Sequence, residues 1–209
     1  MMTFPTHFAR MLAPIAAVAM IAAPAMAQPS GDLAKVEAHL SATQSMTANF
    51  VQTDSKNRAL RGTLQIKRPG KIRFEYGRGA NMLLVGNGKT LNFIDYEVGQ
   101  KSSWPVAKSP LAVLLSANPE LGRIARVVAS NDPRVVVVRA RDARRPEFGT
   151  LVLAFTRTPS SPAGLKLEGW TAIDAQNKTT KVRLSGQRYN VAVPESAFSY
   201  PEPKKRARS

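Results

Sequence analysis

Residues 59–76 read ALRGTLQIKRPGKIRFEY, and the period of this stretch decides the fold. Leu60, Gly62, Leu64 and Ile66 fall on one face of an extended chain, with Arg61, Thr63, Gln65 and Lys67 on the other. Beyond Pro69-Gly70 the alternation resumes, with Ile72, Phe74 and Tyr76 against Lys71, Arg73 and Glu75. Two such runs joined across Pro-Gly predict an antiparallel hairpin with one apolar and one wet face. A two-residue turn at Pro69-Gly70 would set Arg68 opposite Lys71 and Ile66 opposite Arg73, which mixes the faces. A three-residue loop over residues 69–71 sets Arg68 opposite Ile72 and Ile66 opposite Phe74, so the longer loop is expected. It leaves Arg68 at the end of the apolar face, at the rim of a concavity, where its donors need acceptors. The competing reading is a strand-end arginine that snorkels to water.

The same period extends outward. Ala48, Phe50 and Gln52 alternate with Asn49, Val51 and Thr53, and residues 82–85 and 90–96 flank Asn87-Gly88, a tight-hairpin signal. Strand patterns return at 124–129, 135–139, 150–155, 165–174 and 179–189, the last two around a turn at Gln176-Asn177. About ten short strands with one apolar face each predict a strongly curved antiparallel sheet. Helical signals are few. Asp32 reads as an N-cap before Leu33, Val36 and Leu40, and Ser109-Pro110 as an N-cap with proline at the first helical position. The second signal opens the short apolar run 111–115, with a further helical turn over 119–123. The fold class is therefore mainly β, with short helices covering the apolar surface that the sheet does not bury against itself.

The ends and the composition bound the class. Arg10, the apolar run MLAPIAAVAMIAA over residues 11–23 and Ala25-Met26-Ala27 make the three parts of a secretory signal peptide, too short to span a bilayer. The expected organisation is a signal peptide at 1–27, one domain at 28–203 and a basic tail at 204–209. Cysteine is absent, so an exported chain must rely on its core, and a thiol-linked lipid anchor is excluded. The net charge of +16, or +15 without Arg10, favours anionic partners: lipid headgroups, lipopolysaccharide or acidic protein faces. It also serves solubility, and export argues against nucleic acid.

Chemistry-bearing residues are scarce. Without cysteine, and with His39 the one histidine after the signal peptide, neither a nucleophile–base pair nor a zinc site has its usual ligands. A lone helical histidine is more often a satisfied structural residue. Gly77-Arg78-Gly79 follows a strand but opens no helix, so it is not a phosphate-binding motif. A binding protein with no cofactor and no metal is expected, and not an enzyme.

The segment from Phe50 to Asp95 resembles the periplasmic lipoprotein carrier family, LolA. The likeness lies in Phe50-Val51-Gln52, in GTLQIKRPGKIRFEY from Gly62 to Tyr76, in LVGNGKTL from Leu84 to Leu91, in Ser109-Pro110-Leu111 and around Ala197-Phe198. It implies an incomplete barrel closed by helices over a hydrophobic cavity. Arg68 would then latch a lid made by Ser109, Pro110, Leu111, Val113, Leu114 and Leu115. Without the resemblance, those leucines would read as an ordinary core helix. Phe50, Leu64, Ile66, Ile72, Phe74, Leu91 and Phe93 become the candidate acyl-cavity lining, with Trp104 near the mouth. The implied partners are acylated lipoproteins, an inner-membrane lipoprotein-releasing transporter, and an outer-membrane acceptor or the outer membrane itself. A periplasmic monomer is expected. Asn87, where the family often has aspartate, Asn92, where an aromatic is common, and the basic residues after Pro201 depart from the pattern. Alternatives are a lipid or lipoprotein sensor of the same fold and an envelope polyanion-binding protein driven by charge, which salt would dissociate.

Overall fold

The computed structural model describes residues 31–77 and 79–204. The signal-peptide reading and most of the basic tail lie outside those residues. Helix α1 spans Gly31–Ala42 and precedes six strands: β1 (Ser45–Thr53), β2 (Ala59–Lys67), β3 (Lys71–Tyr76), β4 (Met82–Asn87), β5 (Thr90–Asp95) and β6 (Gln100–Pro105). After the short helix α2 (Ala112–Leu115) come β7 (Ala125–Val128), β8 (Val135–Ala140), β9 (Thr150–Arg157), β10 (Leu165–Ile173) and β11 (Thr179–Tyr189). All eleven strands form one antiparallel sheet in the order β6-β5-β4-β3-β2-β1-β11-β10-β9-β8-β7.

That order positions the site. The two free edges, β6 and β7, are consecutive in the chain, so the segment joining them must cross from one edge of the curved sheet to the other. This segment runs from Pro105 through α2 to Ala125 and carries the apolar run read above. The sheet is thus an incomplete barrel whose gap is spanned by its own middle connection. The concave face holds a continuous core in which Phe50, Leu64, Ile66, Ile72, Phe74, Leu114, Leu115, Phe155 and Trp170 are all buried, together with Leu33, Val36 and Leu40 of α1.

A second, smaller core lies on the opposite face of β4 and β5. Leu83, Val85 and Ile94 point outward there and are covered by Val193 and Phe198 of the segment that follows β11. This segment is tied down at several points. Glu195 bridges Lys67 and Lys71, Arg73 Nη1 donates to the carbonyls of Ala197 (3.2 Å) and Ser199 (3.1 Å), and Lys101 pairs with Glu202 at 2.6 Å. The sequence signal was present in the doubly apolar runs Leu83-Leu84-Val85 and Phe93-Ile94, which suit strands buried on both faces.

Four local expectations are corrected. In the β2–β3 hairpin Ile66 pairs with Ile72 and Leu64 with Phe74, so the three-residue loop is Arg68-Pro69-Gly70 and not residues 69–71. The apolar parity survives, but Arg68 leaves the ladder: its N–H donates to Gln44 O and its side chain turns inward. Gly70 makes this loop possible, with φ of +71° and no room for a side chain, since a Cβ would sit 2.4 Å from Gly88 O. In the next hairpin Gly86 pairs with Leu91, so Gly88 and Lys89 form the turn and Asn87 Oδ1 accepts from the Lys89 and Thr90 N–H groups. Ser109 is not the N-cap of α2; its hydroxyl donates backward to Val106 O at 2.9 Å, and Leu111 precedes the helix. Asp32 lies one residue inside α1, where its carboxylate accepts both bonds from Arg157 Nη2 at 2.8 Å.

Candidate functional site

The site is built where the β2–β3 turn meets the segment that crosses the gap. Arg68 is 8% exposed. Its Nε donates to Leu114 O at 2.8 Å, and its Nη1 donates to Thr43 O at 2.8 Å. Beside it, Gly70 N–H donates to Leu115 O at 2.9 Å. The acceptors are carbonyls at or just past the C-terminal ends of α2 and α1, which have no partner within their own helices. One guanidinium therefore satisfies orphan groups of two helices at once, which its planar fork allows and a lysine ammonium does less well. Burial pulls the guanidinium down to about 10, which still leaves it cationic at neutral pH.

His39 lies on the inner side of α1. It is 1% exposed, its ring meets Phe155 and Tyr189 edge-on at centroid distances of 5.2 and 5.4 Å, and Nδ1 lies 2.9 Å from Pro162 O. A carbonyl partner requires Nδ1 to carry the proton. Burial first, and then the nearby Arg68 charge, lower its pKa below the ordinary histidine value, so the ring is held neutral. It is a packed structural residue.

An apolar cleft of about 200 Å³ opens beside α2, between the segment Ser109-Pro110-Leu111 and the concave face. Phe74, Leu84, Leu91, Trp104, Trp170 and Val182 supply its apolar walls, with Gln52, Asp174, Lys178 and Thr180 toward one side. The expected lining residues divide accordingly. Phe74 and Leu91 border the cleft, and Phe50, Leu64, Ile66 and Ile72 lie in the packed core that continues beneath it. Phe93 is half-buried against that core. Of the expected cover residues, Ser109, Pro110 and Leu111 border the cleft, Leu114 and Leu115 are buried against the sheet, and Val113 is half-buried.

An aromatic cluster organises the floor. Phe50 meets Phe74 at 4.9 Å and Tyr76 at 5.3 Å, and Phe74 meets Trp170 at 6.0 Å, all edge-to-face. The Phe50 ring lies across Gly62, its cross-strand partner, where a Cβ would fall 2.7 Å from the ring. Trp170 and Val182 were not among the expected lining. Strict alternation from Leu165 and Leu167 would place Gly169 inside and Trp170 outside. The ladder between β9 and β10 slips between Leu167 and Gly169, where φ is +147°, and this bulge turns Trp170 to the concave face. A glycine within a strand pattern was the available signal.

Such a molecule is a half-barrel with an apolar cleft beside the short helix in its gap, a helix whose last carbonyls accept from Arg68 and Gly70. The chain belongs to the family described as outer membrane lipoprotein carrier protein LolA, whose model matches residues 41–201. It is 29% identical over 202 residues to an outer-membrane lipoprotein carrier protein of Chromobacterium violaceum, covering 93% of each chain. It is 25% identical to the protein of the same name from Bordetella avium, covering 90% of this chain and 92% of that one. Among solved structures, a LolA superfamily protein from Nitrosomonas europaea matches with a TM-score of 0.45 and 11% identity, covering 81% of this chain and 97% of that one. No helix among the described residues is long and apolar enough to cross a membrane.

Proposed function

We propose that this protein is a periplasmic carrier that takes up the acyl chains of lipoproteins leaving the inner membrane and delivers them to the outer membrane, acting by binding and not by catalysis. The observation that carries this reading is the apolar cleft beneath a cover whose last turn is held by Arg68 and Gly70. Each methylene removed from water contributes about 0.8 kcal/mol, so a cargo with several long chains cannot cross an aqueous compartment uncovered. A cleft of about 200 Å³ is smaller than pockets for even one drug-sized ligand, which are typically about 300–1,000 Å³. On this reading the form described here is the closed one. Loading requires α2 and the residues Ser109, Pro110 and Leu111 to move off the sheet, exposing Phe74, Leu91 and the aromatic floor to the cargo.

In this scheme Arg68 is the latch. Its bond to Leu114 O stabilises the closed form, and cargo must displace that form to bind, so closure competes with loading and drives release without any other energy source. The donor is an inner-membrane lipoprotein-releasing transporter, and the receiver is an outer-membrane acceptor or that membrane itself. The test is mass spectrometry of the protein purified from periplasm without detergent, together with quenching of Trp104 and Trp170 by brominated acyl chains. Co-purified acylated peptide and quenching are expected. Absence of both, under conditions where the protein is folded, would overturn the proposal. Binding that survives high salt separates acyl burial from simple charge attraction.

A further inference from the structure

The outer face of the sheet is divided. Over β4 and β5 it is covered by the segment after β11, whereas over β7 to β11, β1 and the start of β2 it belongs to neither core. Two adjacent register rows cross this uncovered half. In one, Arg126 on β7 pairs directly with Arg139 on β8, and the row continues through Val152 and Thr171 to Lys181. In the other, Ala154 and Gly169 lead to Arg183 on β11, then Val51 on β1 and Arg61 on β2. The five cations are all exposed, and none forms an ion pair among the described residues. Neither row contains a carboxylate. Glu168, in a neighbouring position on β10, is already engaged by Thr156 at 2.6 Å and Lys166 at 2.9 Å.

Like charges directly opposite one another on neighbouring strands are destabilising, and Arg126 against Arg139 is such a pair. With strands about 4.8 Å apart, the cations are spread over six strand spacings, about 29 Å along the curve of the sheet, around a centre of small uncharged side chains. Of the five, Lys181 borders a cleft with Thr53 and Asp54, and the other four do not line it. This distribution suits a laterally extended array of phosphates and not a single anion or one narrow segment of a partner protein. We propose that this face is a docking surface for the phosphate headgroups of an anionic bilayer, which holds the protein at a membrane while the cover, elsewhere on the molecule, stays free to move. Docking of this kind does not require the cleft to hold acyl chains.

The test is co-sedimentation of the full chain without its signal peptide, using vesicles of phosphatidylcholine alone and vesicles with about one-third phosphatidylglycerol. The variant is Arg139→Gln with Lys181→Gln and Arg183→Gln. A charge-matched control carries Lys35→Gln, Lys89→Gln and Lys108→Gln, at exposed positions on α1, in the β4–β5 turn and in the segment after β6, outside both rows. Recovery with anionic vesicles alone is expected, lost in about 1 M salt, where screening acts within about 3 Å. Each cation near an anionic surface is worth roughly fivefold in partitioning, so the face variant should lose about 100-fold while the control loses much less. Equal loss in both triples would show that net charge alone is responsible and overturn the proposal. So would failure of the unaltered chain to bind anionic vesicles, the outcome expected if an acidic protein is the partner. The face variant should still bind the brominated acyl chains, so failure of docking and failure of the carrier reading are separate results.

Discussion

Replacing Arg68 by leucine tests the latch most directly. Leucine keeps the site apolar and filled to a large extent, but it removes the donors to Leu114 O and Thr43 O. The Thr43 bond ties α1 to the turn and is not lost when α2 lifts, so only the Leu114 bond counts toward opening. A hydrogen bond from a charged donor contributes about 1.5–3 kcal/mol, and about 2 kcal/mol corresponds to roughly 30-fold in the balance between closed and open forms. The Gly70 bond to Leu115 O remains and keeps closure from being abolished. In the proposed scheme only the open form binds, so apparent affinity for an acyl chain should rise by up to about 30-fold, and release should slow. Titration with a fluorescent acyl probe measures the first, and transfer to acceptor vesicles in a stopped-flow instrument measures the second. Arg68→Lys, which keeps the charge but not the fork, should fall between the two. A leucine variant with the original affinity and the original transfer rate would refute the latch.

Phe198→Ala should remove about 3–5 kcal/mol from the denaturation free energy by emptying part of the outer core, yet leave acyl-probe affinity within a few-fold, because that core does not border the cleft. Gly62→Ala should lower the denaturation midpoint strongly, since its Cβ would sit 2.0 Å from Glu75 O and 2.7 Å from the Phe50 ring. His39 is held neutral in the fold, so the unfolded chain binds more protons just below the ordinary histidine pKa of about 6.5. Its contribution to stability is therefore complete above that pH and declines as pH falls through it; thermal melts from neutral to mildly acidic pH should show the decline, and His39→Gln should flatten it. Trp170→Phe should reduce quenching by brominated acyl chains, because Trp170 lines the cleft.

Much of the fold is legible in side-chain period alone. A period of two fixes which face of a strand is apolar, whatever the rest of the chain does, and so β2 and β3 are readable residue by residue. The inward course of Arg68 is legible in parity too. Its partners are not: Leu114 and Thr43 lie 46 and 25 residues away in sequence, and only packing brings their carbonyls to one guanidinium. Where a register slips, parity misleads. The hairpin at Arg68-Pro69-Gly70 is displaced by one residue from the expected loop, and the bulge at Gly169 turns Trp170 inward.

By itself, then, the order of residues determines the alternation of faces, the scarcity of catalytic groups and the basic excess, since these depend only on side-chain identity and spacing. Tertiary structure decides the rest. Which two edges are left unpaired, where the connection between them crosses, how much of the apolar face is core and how much is cleft, and which cations end up side by side all depend on contacts between strands far apart in the chain. Loop-closure entropy and side-chain volume settle those contacts together, and no local pattern encodes them.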